Sequence, residues 1–175
     1  MPERTGVITM KGKPLTLEGN EVKVGSKAPD VTLIDNDLNA VKLSSFRGKA
    51  LLILSVPSLD TSVCSTETRR FNTEVAKWGS SVLTLVVSND LPFAQKRWCG
   101  AEGVSNVKTF SDYRDHEFGE KYGLYIKELG LLARAALVID PQMGIRYVHI
   151  VKEVTDEPPY DEIFSQAKQL FEGVR

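Results

Sequence analysis

The chain has 175 residues, of which 42% are hydrophobic and 26% charged, and its formal net charge is −1. These values are typical of a soluble globular protein, and a chain of this length can bury about 70% of its unfolded surface without disulfides or metals. The near-neutral charge argues against a nucleic-acid partner or an anionic membrane surface, because either would require an excess of Lys and Arg.

The chain shows no membrane or export signal. Apolar runs such as residues 50–54 are far too short to span a bilayer, and residues 1–5 lack the apolar segment of a secretory signal. We therefore expect a cytoplasmic protein without a membrane partner.

The candidate metal ligands are scattered. Cys64, Cys99, His116 and His149 could complete four zinc ligands, but they lack the close spacing of a zinc site. The two cysteines are also too far apart for a C-x-x-C motif and too few to staple a small secreted scaffold. We expect neither a metal nor another cofactor.

Two hairpins are predicted in the first quarter of the chain. β-rich runs at residues 6–10 and 14–17 flank a Lys-Gly-Lys turn, which is a hairpin signal. The runs at residues 31–34 and 41–43 are divided by the turn-forming sequence Asp-Asn-Asp, so a second hairpin is expected there.

The centre of the chain has the pattern of a parallel sheet. Apolar runs at residues 50–56 and 82–87 are separated by a helical pattern that ends at Trp78. Continuous apolar strands indicate burial on both faces, with the helix as a crossover. A second crossover is predicted through residues 92–99 to a strand at 107–110.

The last part of the chain predicts a hairpin, residues 135–139 and 145–151, and a final helix over residues 160–171. The order of elements predicts an α/β protein with a thioredoxin-like fold, a mixed central sheet flanked by helices on both faces, and an added N-terminal β-hairpin. No repeat or linker divides the chain, so we expect one domain over residues 1–175.

Cys64 is predicted to lie at a helix N-terminus. Asp60, Thr61 and Ser62 are all good N-cap residues, which places Cys64 in the first turn. Cys64 also lies seven positions before Phe71, on the apolar stripe that faces the sheet. The helix dipole would make a thiol ionise more easily there, and a nearby cation would add to the effect. A buried, unreactive cysteine is the equally supported alternative.

Cys99 has the opposite setting. Pro92 favours a helix start and Gly100 is predicted to follow the C-cap, so Cys99 would lie at the negative end of a short helix. If the two cysteines act as a pair, we expect Cys64 to attack first and Cys99 to respond. A permanent disulfide is the structural alternative, but a cytoplasmic thiol pool would keep it reduced.

Three segments resemble one known family. The motif Pro57-x3-Thr61-x2-Cys64 matches the P-x3-T-x2-C motif of peroxiredoxins, and its full sequence PSLDTSVC closely resembles the thiol peroxidase subfamily. The segments at residues 88–95 and 98–103 resemble the part of that subfamily that carries the resolving cysteine, and residues 132–140 resemble the strand that carries its active-site arginine. With the N-terminal hairpin, the resemblance covers nearly the whole chain.

The resemblance implies a thiol-specific peroxidase in which Cys64 attacks a hydroperoxide and becomes a sulfenic acid. Arg134 would supply the cation, Thr61 would hydrogen-bond the thiolate and the peroxide, and Pro57 would shield the sulfur from water. The backbone N–H groups of Val63 and Cys64 would complete the cradle of hydrogen-bond donors that holds the substrate. Taken singly, Thr61 could be only an N-cap, Pro57 only a loop residue and Arg134 only a surface arginine.

The position of Arg134 in the sequence gives a further reason to expect an anion beside it. It lies within the apolar run of residues 131–139, where an unpaired charge would be costly, so it needs an anion. We expect the Cys64 thiolate to be that anion.

The resemblance also implies the rest of the cycle. Cys99 would condense with the sulfenic acid to form an intramolecular disulfide, which thioredoxin would reduce. The substrates would be hydrogen peroxide and organic hydroperoxides, the role antioxidant defence, and the protein a homodimer.

Three other functions stay open. Cys64-x5-Arg70 has the spacing of a cysteine phosphatase loop, although Glu67 within it would repel phosphate. A cysteine hydrolase would need His116 or His149 as its base, and neither has a clear orienting partner. A non-enzymatic chaperone or adaptor with a thioredoxin-like fold is the third.

Overall fold

The computed structural model describes residues 1–172, which form two β-sheets and four α-helices. The strands are β1 (Glu3–Met10), β2 (Lys13–Glu18), β3 (Thr32–Ile34), β4 (Ala40–Lys42), β5 (Ala50–Ser55), β6 (Val82–Ser88), β7 (Lys108–Ser111), β8 (Tyr125–Ile126), β9 (Leu131–Leu132), β10 (Ala135–Ile139) and β11 (Ile145–Ile150). The helices are α1 (Ser62–Val75), α2 (Pro92–Glu102), α3 (Glu117–Tyr122) and α4 (Tyr160–Glu172), with short 3-10 turns at Leu43–Phe46 and Gly79–Ser81.

The central sheet has seven strands in the order β11-β10-β5-β6-β7-β3-β4. β5, β6 and β7 run parallel, so α1 and α2 are the crossovers of two βαβ units, as predicted. β10 runs antiparallel to both β5 and β11, and β3 runs antiparallel to β4. The predicted mixed sheet and all three predicted hairpins are confirmed.

Two hydrophobic cores lie on the two faces of this sheet. All six residues of β5 are buried, and they alternate: Leu51 and Ile53 belong to one core, Leu52 and Leu54 to the other. The first core is closed by the β1–β2 hairpin and α3. The second is closed by α1, α4 and one side of α2. Burial on both faces explains why these strands show continuous rather than alternating hydrophobicity.

The smaller sheet contains elements that the sequence pattern does not predict. Its strand order is β1-β2-β8-β9, so the N-terminal hairpin is extended by two strands of two residues each. α3 is six residues long and follows a polar run. Elements this short show no hydrophobic period, so tertiary contacts rather than local pattern define them.

The end of α2 differs from the prediction. The helix continues through Gly100 to Glu102, and Gly103, with φ 65°, is the left-handed residue that ends it. The N–H of Val104 returns to the carbonyl oxygen of Cys99 at 3.1 Å. Cys99 therefore lies inside the last turn instead of at the final helical position.

Among residues 1–172, no helix has both the length and the hydropathy that crossing a bilayer requires. The single domain expected over residues 1–175 stays a prediction, and its last three residues lie outside the described part of the chain.

Candidate active site

The active-site segment begins where β5 ends. The buried hydroxyl of Ser55 donates to the carbonyl oxygen of Ala133 at 2.7 Å, and the N–H of Val56 donates to the carbonyl oxygen of Val87 at 3.0 Å. These bonds hold the strand end between its two neighbours. Pro57, which follows, is buried, as a residue that excludes water from the site should be.

Thr61 is the N-cap of α1. Its hydroxyl oxygen accepts the N–H of Cys64 at 3.2 Å, and the hydroxyl donates to the carbonyl oxygen of Ser58 at 3.1 Å. The predicted helix start and the first-turn position of Cys64 are therefore correct. The N–H of Cys64, predicted to be part of a cradle for the substrate, is instead used by the cap.

Cys64 is a free thiol with 0% of its surface exposed. It packs in the second core, on the same helix stripe as Phe71 and Val75. Since no atom of Cys64 reaches the surface, a substrate reaches the sulfur only after neighbouring side chains move.

Arg134 is buried between β9 and β10, and its neighbours correct one expectation. Its Nε and Nη2 donate to the carbonyl oxygen of Val154 at 3.1 and 3.0 Å, and its Nη1 lies 3.4 Å from Oε2 of Glu67. The sequence predicts an anion for this guanidinium, and the anionic partner in the structure is Glu67 rather than Cys64. Both charged side chains are 2% exposed.

Glu67 is not among the predicted site residues. It lies one turn after Cys64 and four residues before Phe71, and this place on the buried stripe is the signal that could have identified it. Burial raises the pKa of Glu67 to about 8, although Arg134 acts in the opposite direction. The cost of burying this carboxylate therefore outweighs the stabilisation that its ion pair with Arg134 provides.

Cys99 is also a free thiol, and it is half-buried. Its Sγ lies 3.5 Å from the hydroxyl oxygen of Thr109, beside a surface cavity of about 400 Å³ that Asn36 and Phe110 also line. Cys64 and Cys99 are not bonded to each other. Disulfide formation thus requires at least one of the two segments to move.

Asp90 is a second residue that the prediction missed. It immediately precedes Leu91, the N-cap of α2, and Leu91 makes no side-chain hydrogen bond. The carboxylate of Asp90 turns toward the active-site segment, where it accepts the Ser58 hydroxyl at 2.7 Å and the Leu59 N–H at 2.8 Å. Nothing local in the sequence signals a contact across some 30 residues.

An open groove of about 430 Å³ lies between the N-terminal turns of α1 and the end of α2. Thr61 lines it from one helix and Trp98 from the other, and the ion pair of Arg69 with Glu102, at 2.8 Å, crosses it. The groove therefore adjoins both cysteine-bearing helices.

The competing functions find little support in the contacts. Cys64 and Arg70 lie within one α-helix, and the N–H groups from Ser65 onward bond to the helix backbone, so this segment cannot form a phosphate loop. Arg70 lies over the Tyr160 ring at 4.0 Å. The rings of His116 and His149 pack on tyrosines. Within residues 1–172, no three His, Cys, Asp or Glu side chains are grouped as a metal site.

Comparisons with known proteins place the chain in a family. The model of the Redoxin family matches residues 23–164, most of the chain. The chain belongs to the Redoxin family. The thiol peroxidases of Bacillus subtilis and Halalkalibacterium halodurans are 50% and 52% identical to it over 163 and 161 residues, which cover 93% and 92% of this chain and 97% and 96% of theirs.

Solved structures agree. A peroxiredoxin-like protein from Aquifex aeolicus has a TM-score of 0.89 and 42% identity to this Redoxin family member, and the match covers 95% of this chain and 97% of that one. The thioredoxin-like fold, the resemblance to thiol peroxidases and the enzyme class, a thiol-dependent peroxidase, are therefore confirmed.

Proposed function

We propose that this chain reduces hydrogen peroxide and organic hydroperoxides with Cys64 as the nucleophile. The observation that carries the proposal is the buried Cys64 thiol in the first turn of α1, capped by Thr61 within the P-x3-T-x2-C motif. The Cys64 thiolate attacks the terminal peroxide oxygen, the O–O bond breaks, and the departing alkoxide or hydroxide takes up a proton. Cys64 is left as a sulfenic acid.

Arg134 acts on this step through its charge. The buried guanidinium is cationic at every physiological pH, and its Nη1 contacts Glu67, which lies one turn after Cys64 on α1. Charge in such an environment is weakly screened, so it favours the thiolate and the charge that develops on the leaving oxygen.

Thr61 contributes in two ways. As N-cap it fixes the first turn of α1, and its hydroxyl proton is given to Ser58 in the resting geometry. Rotation of this hydroxyl releases the proton toward the thiolate or the peroxide. Pro57, buried at the end of β5, keeps water from the sulfur.

The cycle closes through Cys99. Its thiol attacks the Cys64 sulfenic acid, a disulfide forms and water leaves; the dithiol of thioredoxin then reduces the disulfide and is itself oxidised. A cycle that depends on thioredoxin belongs in a reducing compartment, which supports the cytoplasm as the location.

A homodimer is the proposed assembly. Leu91 and Phe93, at the start of α2, are 52% and 67% exposed, and such apolar exposure is available for a second copy of the chain. Light scattering of the protein and of Phe93→Asp tests this. A monomeric mass for the unaltered protein would contradict it.

Thiol mass spectrometry after one equivalent of hydrogen peroxide tests the function as a whole. We expect loss of two thiols and a single intramolecular Cys64–Cys99 link. Peroxide consumption without oxidation of Cys64 would overturn the proposal, and a disulfide between two chains would overturn the assignment of Cys99 as an intramolecular partner.

A further inference from the structure

We propose that Asp90 is a positioning residue that holds the Cys64 turn in its attacking geometry and ties it to the helix of Cys99. It therefore speeds the attack on peroxide and slows the formation of the disulfide. This inference rests on the proposed roles of the two cysteines.

The first half of the link runs toward Cys64. Asp90 accepts the Ser58 hydroxyl at one carboxylate oxygen and the Leu59 N–H at the other, so it fixes both residues of the turn after Pro57. The carbonyl oxygen of Ser58 accepts the Thr61 hydroxyl, whose oxygen caps the N–H of Cys64. A continuous path of hydrogen bonds thus leads from Asp90 to the backbone of the nucleophile.

The second half runs toward Cys99. The carboxylate oxygen of Asp90 that binds Leu59 also accepts the Ser88 hydroxyl at 2.9 Å. The oxygen of that hydroxyl accepts Nε2 of Gln95 at 3.0 Å. Gln95 is fully buried in α2, one turn before Cys99, and a second bond from its Nε2 to the carbonyl oxygen of Phe110 holds it there.

A carboxylate suits this position because three donors converge on it from two segments, the turn of Ser58 and Leu59 and the end of β6 at Ser88. An ionised Asp only accepts hydrogen bonds and can accept them at both oxygens, whereas the amide of Asn accepts at one oxygen alone. Hydrogen bonds to a charged acceptor are also about twice as strong as neutral ones. Asp90→Asn therefore keeps the size of the side chain and removes part of the link.

The same link opposes disulfide formation. Cys64 is closed inside the core, while Cys99 lies beside Thr109 and the cavity there, so the segments must leave their present positions before the sulfur atoms meet. Movement of the Cys64 turn breaks bonds to Asp90, and movement of the start of α2 breaks those through Gln95. Weakening the link lowers the cost of both movements.

Two rates measured separately on Asp90→Asn test the proposal. Rapid mixing with hydrogen peroxide and a sulfenic acid trap gives the rate of attack, and acid quench with mass spectrometry gives the rate of disulfide formation. We expect attack to be about tenfold slower, since small misplacements of a reacting group have effects of this order, and disulfide formation to be several-fold faster. Unchanged attack, or a fall in both rates, would overturn the proposal.

Asp140→Asn is the matched control. Asp140 likewise accepts three hydrogen bonds, two from the backbone N–H groups of Gln142 and Gly144 and one from the side chain of Arg146. It lies beyond Ile139, which pairs with Leu51 at the opposite end of β5 from the site. Both rates should stay at the unaltered values in this variant.

Ser58→Ala and Ser88→Ala separate the two halves and keep the test available if Asp90→Asn does not fold. Removal of the Ser58 hydroxyl should slow the attack, and removal of the Ser88 hydroxyl should speed disulfide formation with a smaller effect on attack. Equal effects of both variants on attack would contradict the proposed path. Peroxide turnover of the unaltered protein separates this inference from the function: if the unaltered protein fails to turn over peroxide, the proposed function fails first.

Discussion

The two cysteine segments are held by different kinds of interaction. Around Cys64 the polar groups are paired: Thr61, itself exposed, caps the helix, and Arg134 and Glu67 form a buried ion pair with 2% exposure. Around Cys99 the last turn of α2 is half-open, and its attachment to α1 is the exposed pair of Arg69 with Glu102. Exposed ion pairs contribute at most about 1 kcal/mol, whereas breaking a buried charged pair costs several.

This difference indicates which part of the molecule moves during the cycle. The first two turns of α2 are anchored by Gln95 and Trp98, both buried, while residues 99–102 are attached through surface contacts and end at the left-handed Gly103. Local opening selects the segment with few buried contacts. We expect the last turn of α2 to unwind first, and movement of the rest of the helix toward Cys64 to require release of the bonds that hold Gln95.

The largest effect is expected from Cys64→Ser. A serine hydroxyl does not ionise at neutral pH, so peroxide consumption with thioredoxin should fall at least about a thousandfold. A coupled assay with thioredoxin reductase measures this. Residual turnover within tenfold of that of the unaltered protein would show that Cys64 is not the nucleophile.

Cys99→Ser leaves the attack of Cys64 on peroxide intact and removes the thiol that resolves the sulfenic acid. We expect one sulfenic acid per chain at a normal rate, followed by a stall, because no second thiol in the chain can displace the oxygen. Trapping of the sulfenic acid and mass spectrometry provide the readout. Normal cycling of this variant with thioredoxin would show that Cys99 does not resolve.

Arg134→Ala removes the buried cation from the site around Cys64. We expect a smaller thiolate fraction of Cys64 at pH 7 and an attack about a hundredfold slower, an effect typical of losing one charge-stabilising group. Thiolate absorbance and rapid mixing measure the two quantities. The double variant with Glu67→Gln, which carries no unpaired carboxyl group, is the control for folding, and an unchanged thiolate fraction in it would exclude Arg134 from the site.

The pH dependence of the stability of Glu67→Gln tests the buried pair of Arg134 and Glu67. The pKa of Glu67 is raised from 4.5 to about 8 on folding, so the folded state binds the proton more tightly, and stability is lost as pH rises through this interval. The slope from this one group reaches about 1.4 kcal/mol per pH unit. Urea unfolding of reduced protein between pH 5 and pH 8 should show a shallower decline in Glu67→Gln; parallel curves would contradict the raised pKa.

Arg69→Ala has the smallest expected effect. Loss of an exposed pair worth up to about 1 kcal/mol should speed disulfide formation up to about fivefold without changing the rate of attack. Arg114→Ala is the matched control, because Arg114 and Asp115 form a pair of the same 2.8 Å length and nearly the same exposure. Equal rates of disulfide formation in the two variants would remove the α1–α2 pair from the resolving movement.

Most of the fold could be predicted because its elements have strong local signals. The continuous apolar runs of β5 and β6 indicate strands buried on both faces, and Thr61 with the stripe through Phe71 indicates where α1 begins and which side it buries. β8, β9 and α3 lack such signals. They form because β2 and the first core offer them partners.

The candidate site could be predicted at the level of residue types, but less well in its contacts. The motif and their positions identify Cys64, Thr61 and Arg134 as site residues. The sequence predicts the wrong partner for Arg134, because glutamate is usually an exposed residue and Glu67 lies on the buried stripe of α1. Asp90 meets Ser58 only after two strands have paired. Such long-range hydrogen bonds follow from the tertiary structure and have no local sequence pattern.

The pairing of Ser55 with Ala135 between β5 and β10 sets which residues face each other across the active site. Cys64 follows Ser55 along the chain and Arg134 directly precedes Ala135. The register of the two strands therefore aligns the nucleophile with the guanidinium. A slip by one residue would turn every side chain of β10 to the opposite core. Single-residue insertions or deletions between Leu132 and Ala135 should therefore be far less tolerated than changes of length in the β10–β11 turn, although neither segment contains a reactive sulfur.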